Sequence, residues 1–379
     1  MHRAPGDDYR LIHTLTGLRA YAALWVFARH FFAAKHYDVG VGTAVDLGQL
    51  IHIVVLGGWG VDVFFVISGF VMLHVYGDRF SARFGWFGAI RFYLLRLGRM
   101  YPLHLAIIVV MAIGYALRVL PWDGREPDGT GLLVNLLLVQ SWGFYDIIVW
   151  NRPAWSISLE WFAYLLFPLF VMVLGPIRKW RSLLISIAVL FVVYYFARFE
   201  IGGFTRGNLG PGALMRVTFG FLLGFFLYGL YRQRFLEQVS WDTVCVVTMG
   251  LLAAMMLLNG AGYKIGFSLN FPIGLLVFAT ACSSGFAARI FDNRVAFYLG
   301  EISYSIYMVH FPLLRFLTHN FGDRFDAVAA SGNQPLLWAI ALGVFALLIA
   351  VSSFCYHVIE VPCRDWVKRR VRRNASLAA

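Results

Sequence analysis

The sequence predicts an all-α fold, a polytopic transmembrane helical bundle of about ten spans plus one short or re-entrant helix. Three observations carry this. Charged residues make up only 14% of the chain and hydrophobic residues 60%, whereas a soluble domain carries about 25% charged residues. The apolar residues gather into runs of the length needed to cross a bilayer, about 20 residues for roughly 30 Å of hydrocarbon. The Lys and Arg residues between those runs fall mostly on one side.

Taken in order, residues 1–14 read as a cytoplasmic N-terminal segment. The candidate spans lie at 15–35, 52–76, 99–120, 154–175, 182–199, 213–231, 242–259, 267–285, 296–317 and 335–359. Together they form one transmembrane domain over 15–360, followed by a basic cytoplasmic tail at 361–379. The run "GLLVNLLLVQSW" at 131–142 is too short to cross and is read as the short or re-entrant helix. With the N-terminus inside, 20 of the 32 Lys and Arg residues are cytoplasmic, 8 lie on the opposite side and 4 fall inside spans. The densest groups are Arg79, Arg83, Arg91, Arg96 and Arg99, and the tail from Arg364 to Arg373. That bias places both termini in the cytoplasm, and an eleventh full span would spoil it.

The formal charge of +12 and pI near 9.7 fit cationic loops facing an anionic leaflet, and nucleic acid is not an expected partner. No signal peptide is expected, because the first apolar run is long and no small-residue cleavage site follows it. Cys245, Cys282, Cys355 and Cys363 show no metal or redox spacing and read as packing residues. No metal is expected.

Several ionisable residues fall within the apolar runs. Arg19 and His30 are eleven residues apart in "LTGLRAYAALWVFARHFF", and eleven helical steps of about 100° nearly close three turns. Both side chains therefore share one stripe, about 16 Å apart along it, while Arg29 points elsewhere as an interfacial residue. The same depth arithmetic puts Glu160 and His310 near the outer side with His30, and Asp62 near the midplane. Glu301 falls level with Arg19 on the inner side and reads as its partner. Ionisable residues in a membrane face a bundle interior or watery cavity and mark a functional path. An imidazole near a carboxylate is the usual general base, and it serves equally as a proton relay in a transporter. Spacing alone leaves both open.

Six motifs make the pattern specific: "LTGLRAYAALWVFARHFF", "GVDVFFVISGFVM", "YLLRLGRMYPLH", "PAWSISLEWFAYLLFP", "EISYSIYMVHFPLL" and "VIEVPCR". In order and spacing the chain resembles the acyltransferase 3 family, integral membrane enzymes that O-acylate surface glycans, lipid-linked sugars and some antibiotics. The resemblance covers residues 11 to about 370. It implies that the family's first-helix arginine and histidine are Arg19 and His30, and its Arg-x-x-Arg element Arg96 and Arg99. Its second-helix aspartate matches Asp62, its Trp-Ser-x-Ser-x-Glu motif Trp155, Ser156, Ser158 and Glu160, and its Tyr-x-x-His element Tyr307 and His310. One departure is Val361, which stands where the family usually has Arg before Pro. No fused SGNH-type domain is expected in a sequence that runs to residue 379.

The resulting expectation is a membrane O-acyltransferase of the bacterial cytoplasmic (inner) membrane. It binds no cofactor, and acyl-CoA, with acetyl-CoA the foremost donor, is its co-substrate. Arg96, Arg99 and Arg91 hold the CoA phosphates, since clustered guanidiniums suit phosphate, and Arg19 positions the thioester end. His30, oriented by Glu160 or Asp62, is the general base toward a carbohydrate or lipid-linked hydroxyl. Trp155, Ser158, Tyr307, His310 and Glu301 bind substrate or organise the site. The alternatives are a proton-coupled exporter of a glycan or small molecule using the same residues, and a degenerate family member without activity. An acyl-enzyme on His30, Ser68, Ser156 or Ser158 is a variant of the first reading, though no nucleophile elbow surrounds the serines. "HVYGD" (74–78) and "HNFGD" (319–323) both fit a short His-x-x-x-Asp acyltransferase pattern, and are read as chance matches.

Overall fold

The computed structural model describes residues 5–33, 40–82, 85–121, 128–199, 208–263 and 265–377. The loop cations Arg3, Lys35, Arg83, Arg125, Arg206 and Lys264, used above in assigning topology, lie outside them. Among the described residues there is no strand. The helices are α1 (Pro5–Ala28), α2 (Gly40–Ala44), α3 (Leu50–Val55), α4 (Gly60–Ala82), α5 (Trp86–Ala116) and α6 (Gly129–Leu136). They continue with α7 (Trp155–Leu174), α8 (Trp180–Phe199), α9 (Gly210–Arg232), α10 (Trp241–Gly260) and α11 (Asn270–Cys282). The last are α12 (Phe286–Phe291), α13 (Arg294–Glu301), α14 (Ser303–Ala330), α15 (Gln334–Cys355) and α16 (Val361–Leu377).

Among the described residues, eight helical stretches are long and apolar enough to cross a membrane. The other two expected spans are present with a different character. The stretch Phe267–Cys282 is apolar but shorter. The segment expected as one span over 296–317 is two helices, α13 and α14, broken at Ile302. Arg315, Asp323, Arg324 and Asp326 make α14 more polar than its neighbours. The run at 131–142 forms only the eight-residue α6, started by the Asp128 carboxylate accepting from Gly131 N–H at 2.7 Å. Residues 361–377, expected as a tail, are helical, and Val367 packs against Gly98 of α5.

Small residues set how closely the helices around the interior approach. A Cβ on Gly17 would lie 1.9 Å from the Phe291 carbonyl oxygen, and one on Gly300 would lie 1.9 Å from that of Thr16. Only glycine lets α1 press against α12 and α13 there, and Arg19 and Glu301 line one cavity. Gly69 and Gly224 do the same where α4 crosses α9, against Phe221 and Val66. Backbone contact of this kind is how helices associate in lipid, where apolar side chains gain little from leaving the tails.

The connection between α6 and α7 folds inward. Leu138, Gln140, Ser141 and Asn151 are all buried, and the Asn151 amide donates to the Met308 carbonyl at 3.0 Å. Helix α7 therefore starts deep in the bundle, with Ser156 bonded to Tyr307. This irregular backbone is tolerated because it is packed in protein rather than lipid.

Candidate active site

A cavity of about 290 Å³ lies between α1, α4, α5, α7, α13 and α14, and Arg19, Arg96, Arg99, Glu160, Glu301 and Tyr307 are among its lining residues. The Arg96 guanidinium donates to the Tyr76 hydroxyl at 2.7 Å and lies 5.0 Å from that ring's centroid. Arg19 lies 5.9 Å from the Phe64 centroid. Among the described residues, no carboxylate oxygen comes within 4.0 Å of Arg19, Arg96 or Arg99.

The carboxylates around this space are held by hydroxyls instead. Glu160 accepts from Ser68 Oγ at 2.9 Å and from the Tyr164 hydroxyl. Glu301 accepts from the Tyr356 hydroxyl at 2.7 Å. Glu360, 1% exposed and just outside the lining, accepts from Ser305 Oγ at 3.1 Å and keeps a second oxygen without a partner. A cluster of guanidiniums not tied up by carboxylates is suited to an anionic ligand.

The two histidines form a separate unit. His30 Nδ1 and His310 Nε2 are 3.0 Å apart, with ring centroids at 5.0 Å. His310 is 1% exposed. Neither ring lines the cavity. Tyr307 stands between, with its ring 5.7 Å from His310 and 6.3 Å from Phe64.

This geometry corrects several expectations. Glu160 lines the same cavity as Arg19, which His30 does not. His30 meets His310 rather than Glu160 or Asp62. Helix α1 passes into a π-turn at Arg29–Ala33, with His30 its second residue. Asp62 is bound by Arg216, which donates through Nε at 2.8 Å and Nη2 at 2.6 Å. The guanidinium also lies over Trp155 at 5.2 Å and Trp59 at 5.9 Å. Glu301 lines the cavity with Arg19 but bonds Tyr356. Arg91 is exposed on α5 and outside the lining.

Other residues found their partners. Arg29 donates to the Val55 carbonyl, bracing the π-turn against α3. Ser158 Oγ accepts from Ser141 N–H at 3.2 Å, a structural bond within the inward-folded connection. His74 faces Tyr228 at 3.3 Å, and Asp78 pairs with Arg232 at 2.8 Å, so "HVYGD" makes no joint site. The sequence reading did not place Arg216 and Tyr164 at the site. An unmatched arginine and aspartate in two apolar runs was the available clue to Arg216, and spacing i, i+4 from Glu160 the clue to Tyr164.

The fold and this site define a polytopic helical membrane protein with a cationic cavity next to a buried histidine pair. Comparison with known proteins supplies the rest. A family model described as "Acyltransferase domain" matches residues 12–355, and the chain belongs to the acyltransferase 3 family. It is 31% identical over 378 residues to the acyltransferase MdmB of Streptomyces mycarofaciens, covering 94% of this chain and 92% of the relative. It is 24% identical over 387 residues to the O-acetyltransferase OatA of Staphylococcus aureus, covering 94% of this chain and 57% of the relative. The chain thus spans little more than half the length of OatA. No solved structure matches. Family and relatives together support membrane O-acyltransferase activity.

Proposed function

We propose that the protein transfers an acyl group, acetyl foremost, from cytoplasmic acyl-CoA to a hydroxyl of a surface or lipid-linked carbohydrate. The membrane is the bacterial cytoplasmic one, with both termini inside and the basic end of the bundle facing the donor. The observation that carries this reading is the set of cavity arginines whose neighbouring carboxylates are engaged by hydroxyls. Arg96 and Arg99 bind the CoA phosphates at the mouth, and Arg19, deeper over Phe64, steadies the thioester.

His30 acts as the base. When its Nδ1–H is donated to His310 Nε2, the lone pair sits on Nε2 and faces the acceptor. The acceptor hydroxyl oxygen attacks the thioester carbonyl carbon as its proton passes to His30 Nε2. The C–S bond then breaks, and the CoA thiolate takes a proton from the imidazolium. An ester and free CoA result. His310 shares the developing charge, the part a carboxylate plays in a His–carboxylate pair.

The test is purified full-length protein in nanodiscs with radiolabelled acetyl-CoA and a panel of glycans. Label transfer that depends on the glycan and is lost in His30→Ala supports the reading. Glycan transport without any CoA consumption overturns it in favour of an exporter.

A further inference from the structure

We propose that Tyr307 is the gate between the donor cavity and the histidine pair, and that it sets the length of acyl chain admitted. This rests on the reading that acyl-CoA occupies the cavity. Arg19 and His30 stand about 16 Å apart along α1 by helical rise, so the acyl group has to cross that gap. The residues that fill it form one line: Arg19 against Phe64, Phe64 against Tyr307, and Tyr307 against His310, which meets His30. Tyr307 is the member of that line that borders both compartments. It lines the cavity together with Ser156 and Ile157, and its ring lies 5.7 Å from the His310 ring.

Its hydroxyl is latched. It accepts from Ser156 Oγ at 2.8 Å and donates to the Pro153 carbonyl at 2.9 Å. Ser156 begins α7 and Pro153 lies in the short turn before it, so the latch joins α14 to the inward-folded segment. In the latched position the ring ends the cavity. A short acyl group stops below it near Arg19, while a long one collides with it. Turning about χ1 and χ2 gives up two modest hydrogen bonds and opens the way to His310. A side chain at this position therefore controls both passage and chain length, as the end wall of a pocket does for methylene discrimination.

The experiment measures binding of acetyl-CoA and octanoyl-CoA to the full chain in nanodiscs, for wild type, Tyr307→Ala and Tyr307→Phe. Wild type is expected to bind octanoyl-CoA no more tightly than acetyl-CoA. In Tyr307→Ala the ratio shifts toward octanoyl-CoA by about tenfold or more, because six further methylenes find apolar space. Tyr307→Phe keeps the ring but loses the latch, and shifts the ratio the same way by less. Where Tyr307→Ala elutes aggregated, the Phe variant decides. Intact binding of both esters with an unchanged ratio overturns the gate and leaves the donor reading standing. Failure of wild type to bind either CoA ester overturns the donor reading, and the gate with it.

Discussion

Two parts of the interior carry the same chemical groups and use them differently. At Asp62 and Arg216 a carboxylate and a guanidinium meet in a two-pronged ion pair, with Arg216 lying over Trp59 and Trp155. In the cavity, Arg19 and Arg99 stand near Glu160 and Glu301, yet each acid is held by hydroxyls and no ion pair forms. The first arrangement is closed and its charges are satisfied. The second leaves positive charge facing a space large enough for a ligand. Ionisable residues inside the bundle thus either close on one another or face an open space. Position alone does not distinguish the two.

The contrast breaks if residues of the open region matter for stability and those of the closed pair for chemistry. The largest effect is expected at His30. His30→Ala should lower kcat/KM for acetyl transfer by about 10²–10⁴-fold, the range of a general base, with thermal unfolding in nanodiscs little changed. Asp62→Ala leaves Arg216 buried and uncompensated, and should destabilise the fold by about 3–5 kcal/mol. Calorimetric unfolding reads this, and full stability in that variant would show that the pair is not structural.

Arg99→Ala should raise KM for acetyl-CoA by roughly 10–100-fold, the worth of one charged hydrogen bond to phosphate. Its stability loss should be smaller than that of Asp62→Ala. The smallest change is expected at Arg91, exposed and outside the cavity: Arg91→Ala should alter KM by less than about twofold, since an exposed charge interacts weakly through water. A large KM effect there would extend the CoA site outward along α5.

Much of the fold could be read from the sequence because lipid imposes a one-dimensional rule. Apolar length decides what spans. The two places where that rule faltered are instructive. Residues 296–317 read as one span, but the chain breaks at Ile302, where Glu301 turns to Tyr356. Residues 131–142 read as a short or re-entrant helix; only Gly129–Leu136 is helical, and the connection that follows it folds into the bundle. Buried Gln140, Ser141 and Asn151 make that fold possible by bonding to α7 and α14.

The sequence by itself determined the membrane class and the helical elements, and its motifs singled out the candidate residues. Hydropathy and motif spacing are properties of the chain taken one position at a time. Only the tertiary structure decided which of those residues share a space. It tied Asp62 to Arg216 and His30 to His310, set Glu160 beside Arg19, and left Arg91 outside. Pairing depends on how helices cross and where a glycine permits contact. Those distances join residues far apart in the chain, up to 280 positions for the histidine pair, and no local pattern encodes them.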